Sequence, residues 1–321
     1  MTDQPFALLV AGPTASGKSA LALALAEQLG GTVINADSMQ VYDGLRVLTA
    51  RPSPEEEARA PHRLYGVHPP GEAASVAWWR GRALEEMAAA RLPILCGGTG
   101  LYFRSLTQGL TEIPPVPPEA REEARAFLAE HGPAALHARL AAEDPDTAAR
   151  LRPSDSQRLA RAWEVWRGTG RGLASWQREP GTGPAERDGV PWRFAAIRLD
   201  PPRDVLRAAI GARWDGMLAA GAVEEVRALL AQGLDPDLPA MRAHGVPEIS
   251  AALRGEISLA EAGRRACLAI GQYTKRQATW FRHQPLADVS ATHTIHARVT
   301  GQEQFSESEW AEIIAFIDCH R

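Results

Sequence analysis

The chain has 321 residues, of which 45% are hydrophobic and 23% charged, and a formal net charge of −4. That length supports one large or two moderate domains with a sizeable core. The mild acidity excludes a surface coated uniformly with positive charge for general nucleic-acid binding, and no stretch is apolar and long enough to span a bilayer.

In chain order, Met1-Thr2-Asp3-Gln4-Pro5 lacks a basic n-region, so no signal or transit peptide is expected. The apolar run Leu8-Leu9-Val10-Ala11 predicts a strand. Gly12-Pro13-Thr14-Ala15-Ser16-Gly17-Lys18-Ser19 follows, then an Ala/Leu-rich helical pattern from Ala20 to Leu29. Gly31 to Asn35 is a β-branched run that predicts a second strand, ending in Ala36-Asp37-Ser38-Met39-Gln40. Leu64 to Val67 predicts a short strand and Trp78 to Arg91 a helix, with apolar Trp78, Ala83, Leu84 and Met87. Pro93 to Cys96 predicts another parallel strand, ending in Gly97-Gly98-Thr99-Gly100 before a helix from Leu101. Strand alternating with helix is the pattern of an open parallel sheet. After the proline run Ile113 to Pro118 the strand signals stop. Residues 119–178 have helical spacing, broken at Gly132-Pro133, Pro145 and Pro153, with one helix capped near Ser154 or Asp155. Glu179 to Val190 is turn-rich, Trp192 to Asp200 predicts a strand rejoining the sheet, and Asp204 to Arg282 is mainly helical. Beyond Pro285 the signal is weak, with a final helix expected at Ser308 to Cys319. The expected fold is α/β: a core of residues 1–113 and 191–321 with a helical insertion at residues 114–190. The three cysteines, Cys96, Cys267 and Cys319, form no C-x-x-C pair. Neither a zinc knuckle nor a disulfide framework is indicated, and a soluble, reducing, cytoplasmic setting is expected.

Gly12 to Ser19 reads G-x-x-x-x-G-K-S between a strand and a helix, the context of a phosphate loop. Its N–H groups and the helix N-terminus converge on an anion. Lys18 adds a point charge, and the Ser19 hydroxyl suits Mg²⁺. In open parallel sheets ligands bind outside the carboxyl ends of the strands. The phosphate loop, Asp37-Ser38 and Gly97-Gly98-Thr99 each follow a strand, so all three are expected to line one cleft. Asp37 is a helix cap, a water-mediated metal ligand, a catalytic base or a substrate anchor; its place opposite the loop favours the last two. Thr99 is a helix cap before Leu101, or part of a site that the paired glycines before it let a ligand or backbone approach closely. Arg242, in the Pro/Gly-rich loop around Met241 to Val246, is a candidate anion clamp or a plain surface arginine. Basic residues cluster at 150–178 and 264–282, so a basic cleft on an acidic protein remains open. Asp155-Ser156-Gln157-Arg158 opens a helix bearing Arg161 and Arg167. Trp163 and Trp166 on that helix have core spacing. Gln272 to Arg282 is a basic, aromatic helix.

Five segments occur together and in order: Gly12 to Ser19, Asp37 to Tyr42, Gly97 to Tyr102, Asp155 to Arg158, and Lys275-Arg276-Gln277-x-x-Trp280-Phe281-Arg282. As a set, covering Leu8 to Arg282, they resemble the tRNA dimethylallyltransferases. The resemblance implies a nucleotide-kinase-like phosphate-loop core whose helical insertion grips the anticodon stem-loop. It implies transfer of the dimethylallyl group from dimethylallyl diphosphate to N6 of adenosine 37 in tRNAs reading codons that begin with U, with Mg²⁺. Asp37 matches the acid that accepts the N6 proton, Thr99 the threonine of the reaction channel, and Arg242 the loop arginine near the diphosphate. The implied tRNA contacts are Asp37, Ser38, Met39 and Gln40, then Asp155, Ser156, Gln157 and Arg158, then Lys275, Arg276 and Gln277. The chain departs from the family pattern in several places. Leu48 and Arg51 stand where glycine and lysine are usual, and Val246 where tyrosine is common. Ile270-Gly271-Gln272-Tyr273 lacks the usual threonine and arginine. Scattered cysteines exclude the zinc finger of eukaryotic members, so the bacterial type, as a monomer, is expected. A small-molecule kinase and an NTP-dependent RNA-binding switch are the competing readings of the phosphate loop.

Overall fold

The structure, a computed structural model, describes residues 4–179 and 181–321. The readings of residues 1–3 and of residue 180 lie outside it. The chain divides into two compact units: Met1–Gln108 with Pro184–Arg321, and Gly109–Gly183.

The larger unit begins with β1 (Phe6–Ala11), α1 (Lys18–Leu29), β2 (Thr32–Asn35), α2 (Pro54–Arg59), β3 (His62–Arg63), α3 (Val76–Ala89), β4 (Pro93–Gly97) and α4 (Gly100–Thr107). The smaller unit contributes α5 (Pro118–Glu143), α6 (Pro145–Ala148), α7 (Ser156–Thr169) and α8 (Leu173–Trp176). The larger unit resumes with a hairpin, β5 (Glu186–Arg187) and β6 (Val190–Pro191), then β7 (Arg193–Leu199). It ends with α9 (Arg203–Ala219), α10 (Ala222–Leu230), α11 (Val246–Leu253), α12 (Leu259–His283), β8 (Thr292–Ile295) and α13 (Glu307–His320).

Six strands form a sheet in the order β3-β2-β4-β1-β7-β8, and its ladders are parallel. Every residue of β1 is buried, as a strand covered on both faces requires. The pleat sorts its side chains by parity. Ala7, Leu9 and Ala11 join a cluster containing Trp79, Phe103 and Trp214. Phe6, Leu8 and Val10 join another containing Leu21, Leu25, Trp310 and Ile313. Helices therefore cover both faces, and β1 sits between β4 and β7.

Three sequence expectations shift. The strand expected at residues 64–67 lies at His62–Arg63 instead. Leu64 (φ 64°) and Gly66 (φ 59°) are left-handed and cannot continue a strand. The helix expected from Trp78 starts at Val76, because Ser75 accepts the Trp78 N–H. The weak region after Pro285 contains an edge strand, β8, parallel to β7.

In the smaller unit, α5 is interrupted at Gly132 (φ 76°, ψ 174°), where Pro133 follows. Its core holds Ala124, Leu136, Leu140, Leu159, Ala162 and Trp163. Trp163 is thus a packing residue. Its Nε1 donates to Glu123 Oε1 at 3.3 Å, and the Arg139 guanidinium lies 4.4 Å over its ring. Asp155 caps α7 through the Arg158 N–H at 3.2 Å, which leaves the Arg158 side chain 74% exposed.

Candidate active site

The phosphate loop joins β1 to α1. Gly17 caps α1 at φ 90° with no side-chain cap, so the first-turn N–H groups remain for an anion. A Cβ on Gly17 would lie 1.7 Å from the Val299 carbonyl, so glycine is required by conformation and by space together. Thr14 donates both its N–H (2.9 Å) and its hydroxyl (3.1 Å) to Gln277 Oε1. Gln277 Nε2 in turn donates to Gly98 O at 2.9 Å. One buried amide on α12 thereby fastens the phosphate loop to the end of β4. Burial lowers the Lys18 ammonium from its ordinary value, and the Asp37 carboxylate partly restores it.

Asp37 follows β2. Asn35, fully buried, accepts the Asp37 N–H at 2.8 Å and donates to the Asp37 and Leu64 carbonyls at 3.0 Å each. Asp37 Oδ1 accepts the Met39 N–H at 3.0 Å, which fixes the carboxylate. Gly97 presses on the same turn: a Cβ there would lie 2.0 Å from Ala36 O. Thr99 does not cap α4 with its side chain. Its hydroxyl accepts the Ser38 N–H at 3.0 Å and donates to Ser38 Oγ at 3.3 Å, tying the β4 end to the β2 end. Burial and then the Asp37 charge push the Tyr273 phenol up. Burial also lowers the His244 imidazole, which Glu248 and Asp37 oppose and Arg276 reinforces. The His244 and Tyr273 rings lie 5.2 Å apart.

Of these groups Thr14, Lys18, Asp37, His244 and Tyr273 line one cleft, whereas Ser38, Gly97, Gly98 and Thr99, expected there too, are not among its lining residues. Thr14, Lys18 and Ser19 form its anion-binding side, with Asp37, Met39 and Gln40 adjoining. Leu48, Ile210, Trp214, Met217 and Ile270 form an apolar wall. The loop carrying Leu48 is held by Glu225, whose two carboxylate oxygens accept the Val47 and Leu48 N–H groups at 2.7 and 2.8 Å. Gln40 Nε2 holds the next turn through Thr49 O and Ala50 O, both at 2.9 Å. A Cβ on Gly245 would meet Leu48 at 2.7 Å and Trp214 at 3.0 Å, so the wall is closely packed there.

The expected residues divide. The phosphate loop, Asp37, Ser38, Met39, Gln40 and Thr99 gather at one end of the sheet. Arg242 does not join them: its guanidinium is 64% exposed and paired with Asp237. Its neighbours Ala243 and His244 line the cleft instead. Gln277 is not a surface contact, being 4% exposed with its amide spent between Thr14 and Gly98. Lys275 and Arg276 are exposed on α12, and Ser156, Gln157 and Arg158 are exposed on α7.

Arg213 is a cleft residue missed in the sequence. It lines the cleft, donates from Nη2 to Thr49 O at 3.2 Å, and is lowered by burial against the Asp37 charge. The signal was its position. Ile210, Arg213, Trp214 and Met217 share the inward face of α9, so Arg213 is a cation on an apolar stripe.

Among the described residues, no group of three or more His, Cys, Asp or Glu side chains could hold a metal ion. Ser19 Oγ is a hard oxygen donor in the cleft. A cation there would take its remaining ligands from a diphosphate and water, the usual way magnesium is held.

A parallel sheet with a phosphate loop at its centre, and a carboxylate at the next strand end, defines an α/β enzyme of the nucleotide-kinase-like phosphate-loop class. Residues 40–284 match the family model described as IPP transferase, and residues 6–68 that described as isopentenyl transferase. The tRNA dimethylallyltransferase of Granulibacter bethesdensis is 62% identical over 315 residues, covering 97% of each chain. That of Acidiphilium cryptum is 62% identical over 311 residues, covering 97% of this chain and 94% of its own. The crystal structure of the full-length tRNA isopentenylpyrophosphate transferase of Bacillus halodurans superposes with a TM-score of 0.66 at 30% identity, covering 98% of both chains. The chain belongs to the tRNA dimethylallyltransferase family, enzymes that transfer a prenyl group to tRNA.

Proposed function

We propose that the chain transfers the dimethylallyl group of dimethylallyl diphosphate to N6 of adenosine 37 in tRNAs reading codons that begin with U, releasing diphosphate. It acts as a cytoplasmic monomer. The observation that carries this reading is the cleft itself, where an anion site, a single fixed carboxylate and an apolar wall adjoin. That is the complement of a diphosphate, a proton-losing amine and a short hydrocarbon.

Adenine N6 is a weak nucleophile, because its lone pair conjugates with the ring. Asp37 accepts a proton from N6 as the C1–N6 bond forms, and the C1–O bond to diphosphate breaks with its electron pair. Charge grows on the leaving oxygen. The loop N–H groups, Lys18 and Arg213 stabilise it, so they act on the transition state more than on the ground state. Arg213 takes the role first given to Arg242, which is held at the surface by Asp237. Ser19 Oγ would hold Mg²⁺, which would supply positive charge to the departing diphosphate. Leu48, Trp214, Met217 and Ile270 receive the dimethylallyl group and keep water from the allylic carbon. Thr99 holds Ser38, and through it the turn that aims Asp37. The target base must leave its stack to reach this cleft. Asp37 to Gln40, Asp155 to Arg158, Lys275 and Arg276 are the proposed RNA contacts, as phosphate-positioning and base-holding groups.

The test is incubation with labelled dimethylallyl diphosphate and tRNA, with and without ATP. Label entering tRNA equally without ATP supports the reading; label transfer that requires ATP sinks it. Asp37→Asn should lower kcat about 10²–10⁴-fold, the usual worth of a general base, with tRNA binding retained.

A further inference from the structure

A loop that turns its N–H groups inward on an anion turns its carbonyls outward, and buried carbonyls need donors. In this phosphate loop the donors come from within the loop and from the C-terminal segment. Pro13 O accepts the Ser16 N–H at 3.2 Å and Lys18 Nζ at 3.4 Å. Ala15 O accepts Arg298 Nε at 3.1 Å, and Ser16 O accepts the Val299 N–H at 2.9 Å. Ala15 is left-handed at φ 66°, a conformation a β-carbon disfavours and which persists only when neighbours enforce it. Its methyl packs against Leu206 and Ile210 on α9.

The segment bearing Arg298 is itself anchored. Asp200 donates its N–H to Ile295 O at 2.9 Å at the end of β8. Val299 is 1% exposed within the core that holds Leu21 and Leu25 of α1. Thr300 is tied by its N–H and hydroxyl to Gln304 Oε1, at 2.9 and 3.1 Å. The strap is therefore a fixed support behind the loop.

We infer that Arg298 is a positioning residue for the phosphate loop: by donating to the Ala15 carbonyl it holds Ala15 left-handed and keeps the loop N–H groups turned on the diphosphate. The C-terminal segment thereby becomes part of the diphosphate site. The inference rests on the reading of that loop as a diphosphate site. The Arg298 charge is also felt by Arg213 across the loop, so the strap adds to the positive field there.

The test uses the full chain as wild type, Arg298→Ala, Ala15→Gly and the double variant. Inorganic diphosphate affinity is measured by calorimetry, with Mg²⁺ present. KM for dimethylallyl diphosphate and for tRNA, and the thermal midpoint, are measured beside it. Arg298→Ala should weaken diphosphate binding and raise KM for dimethylallyl diphosphate about tenfold, with KM for tRNA held within about twofold. Glycine adopts the left-handed conformation unaided, so the same substitution in the Ala15→Gly background should cost less than about threefold. Unchanged diphosphate affinity in Arg298→Ala overturns the inference. So does a loss of equal size in both backgrounds, or one that falls equally on tRNA and follows a lowered thermal midpoint. A wild-type chain that binds no diphosphate overturns instead the reading of the site beneath it.

Discussion

Cys96 is the penultimate residue of β4, buried inside the fold beside Lys18 and Ser19. Burial raises its thiol from an ordinary 9.0 to about 11, against the pull of Lys18 and of Ser19. The sign follows from linkage. The folded chain holds the proton more tightly than the unfolded one, so this contribution to stability is complete below about 9.0 and is lost as pH rises toward about 11. A thiolate is the reactive form. At neutral pH Cys319, exposed on α13, should react rapidly with a disulfide reagent, while Cys96 reacts only on unfolding. Rapid titration of Cys96 in the native chain would contradict its placement. At this scale the sequence was legible where chemistry sits at a strand end. Gly12 to Ser19, Asp37 and Thr99 could be placed at one end of the sheet because a parallel sheet dictates where its loops converge. Arg213 was not, because only tertiary packing turns a mid-helix arginine into a cleft residue. Arg242 misled for the opposite reason: a loop arginine takes whichever carboxylate is near, and here that is Asp237.

The elements meet through α12. Gln277 fastens Thr14 to Gly98, and Trp280 fills the space a Cβ at Gly100 would need, 2.4 Å from its ring. Gly98 and Gly100 after β4 and the Gln-x-x-Trp of α12 are thus two halves of one joint. Gln277→Ala would strand the Thr14 N–H and the Gly98 carbonyl. Each such group costs about 1–3 kcal/mol, so the urea midpoint should fall with the slope unchanged. Wild-type stability would show that water replaces the amide. The sequence placed α12 as a basic helix, yet could not tell its buried glutamine from its exposed Lys275 and Arg276. Strands with continuous apolar runs, β1, β2, β4 and β7, were readable. The short edge strands β3 and β8 carry mixed residues such as His62, Arg63, Thr292 and His293, and offer no such run.

On the scale of the molecule, the smaller unit is an insertion whose ends meet. Thr182 donates its N–H to Leu110 O at 2.8 Å, and Leu110 donates its N–H to Thr182 Oγ1 at 3.0 Å. Within the larger unit, Ala185 donates its N–H to Leu106 O at 2.7 Å. Each unit has its own core. Replacing residues 109–183 with a short glycine-serine linker should leave a folded chain that binds diphosphate and fails to bind tRNA. Circular dichroism, calorimetry and filter binding read the three properties separately, and tRNA binding at wild-type strength would remove the insertion from the RNA interface. The boundaries expected from the proline run and the turn-rich segment, residues 114 and 190, both lie further along the chain than those of the compact unit, Gly109 and Gly183. Proline marks where a chain is extended, and contacts decide where a unit ends.

The parallel order of the sheet also sets a schedule. During synthesis β1 precedes its neighbour β7 by the whole insertion, and β8 follows later still. Pairing across such separations is slow to nucleate, because the intervening chain must close first. Until β7 arrives, β1 offers an apolar edge with one side unpaired, and the loop beyond it lacks both Gln277 and the strap. Assembly of the ligand site therefore waits on segments far along the chain, since Gln277 and Arg298 both lie beyond β7.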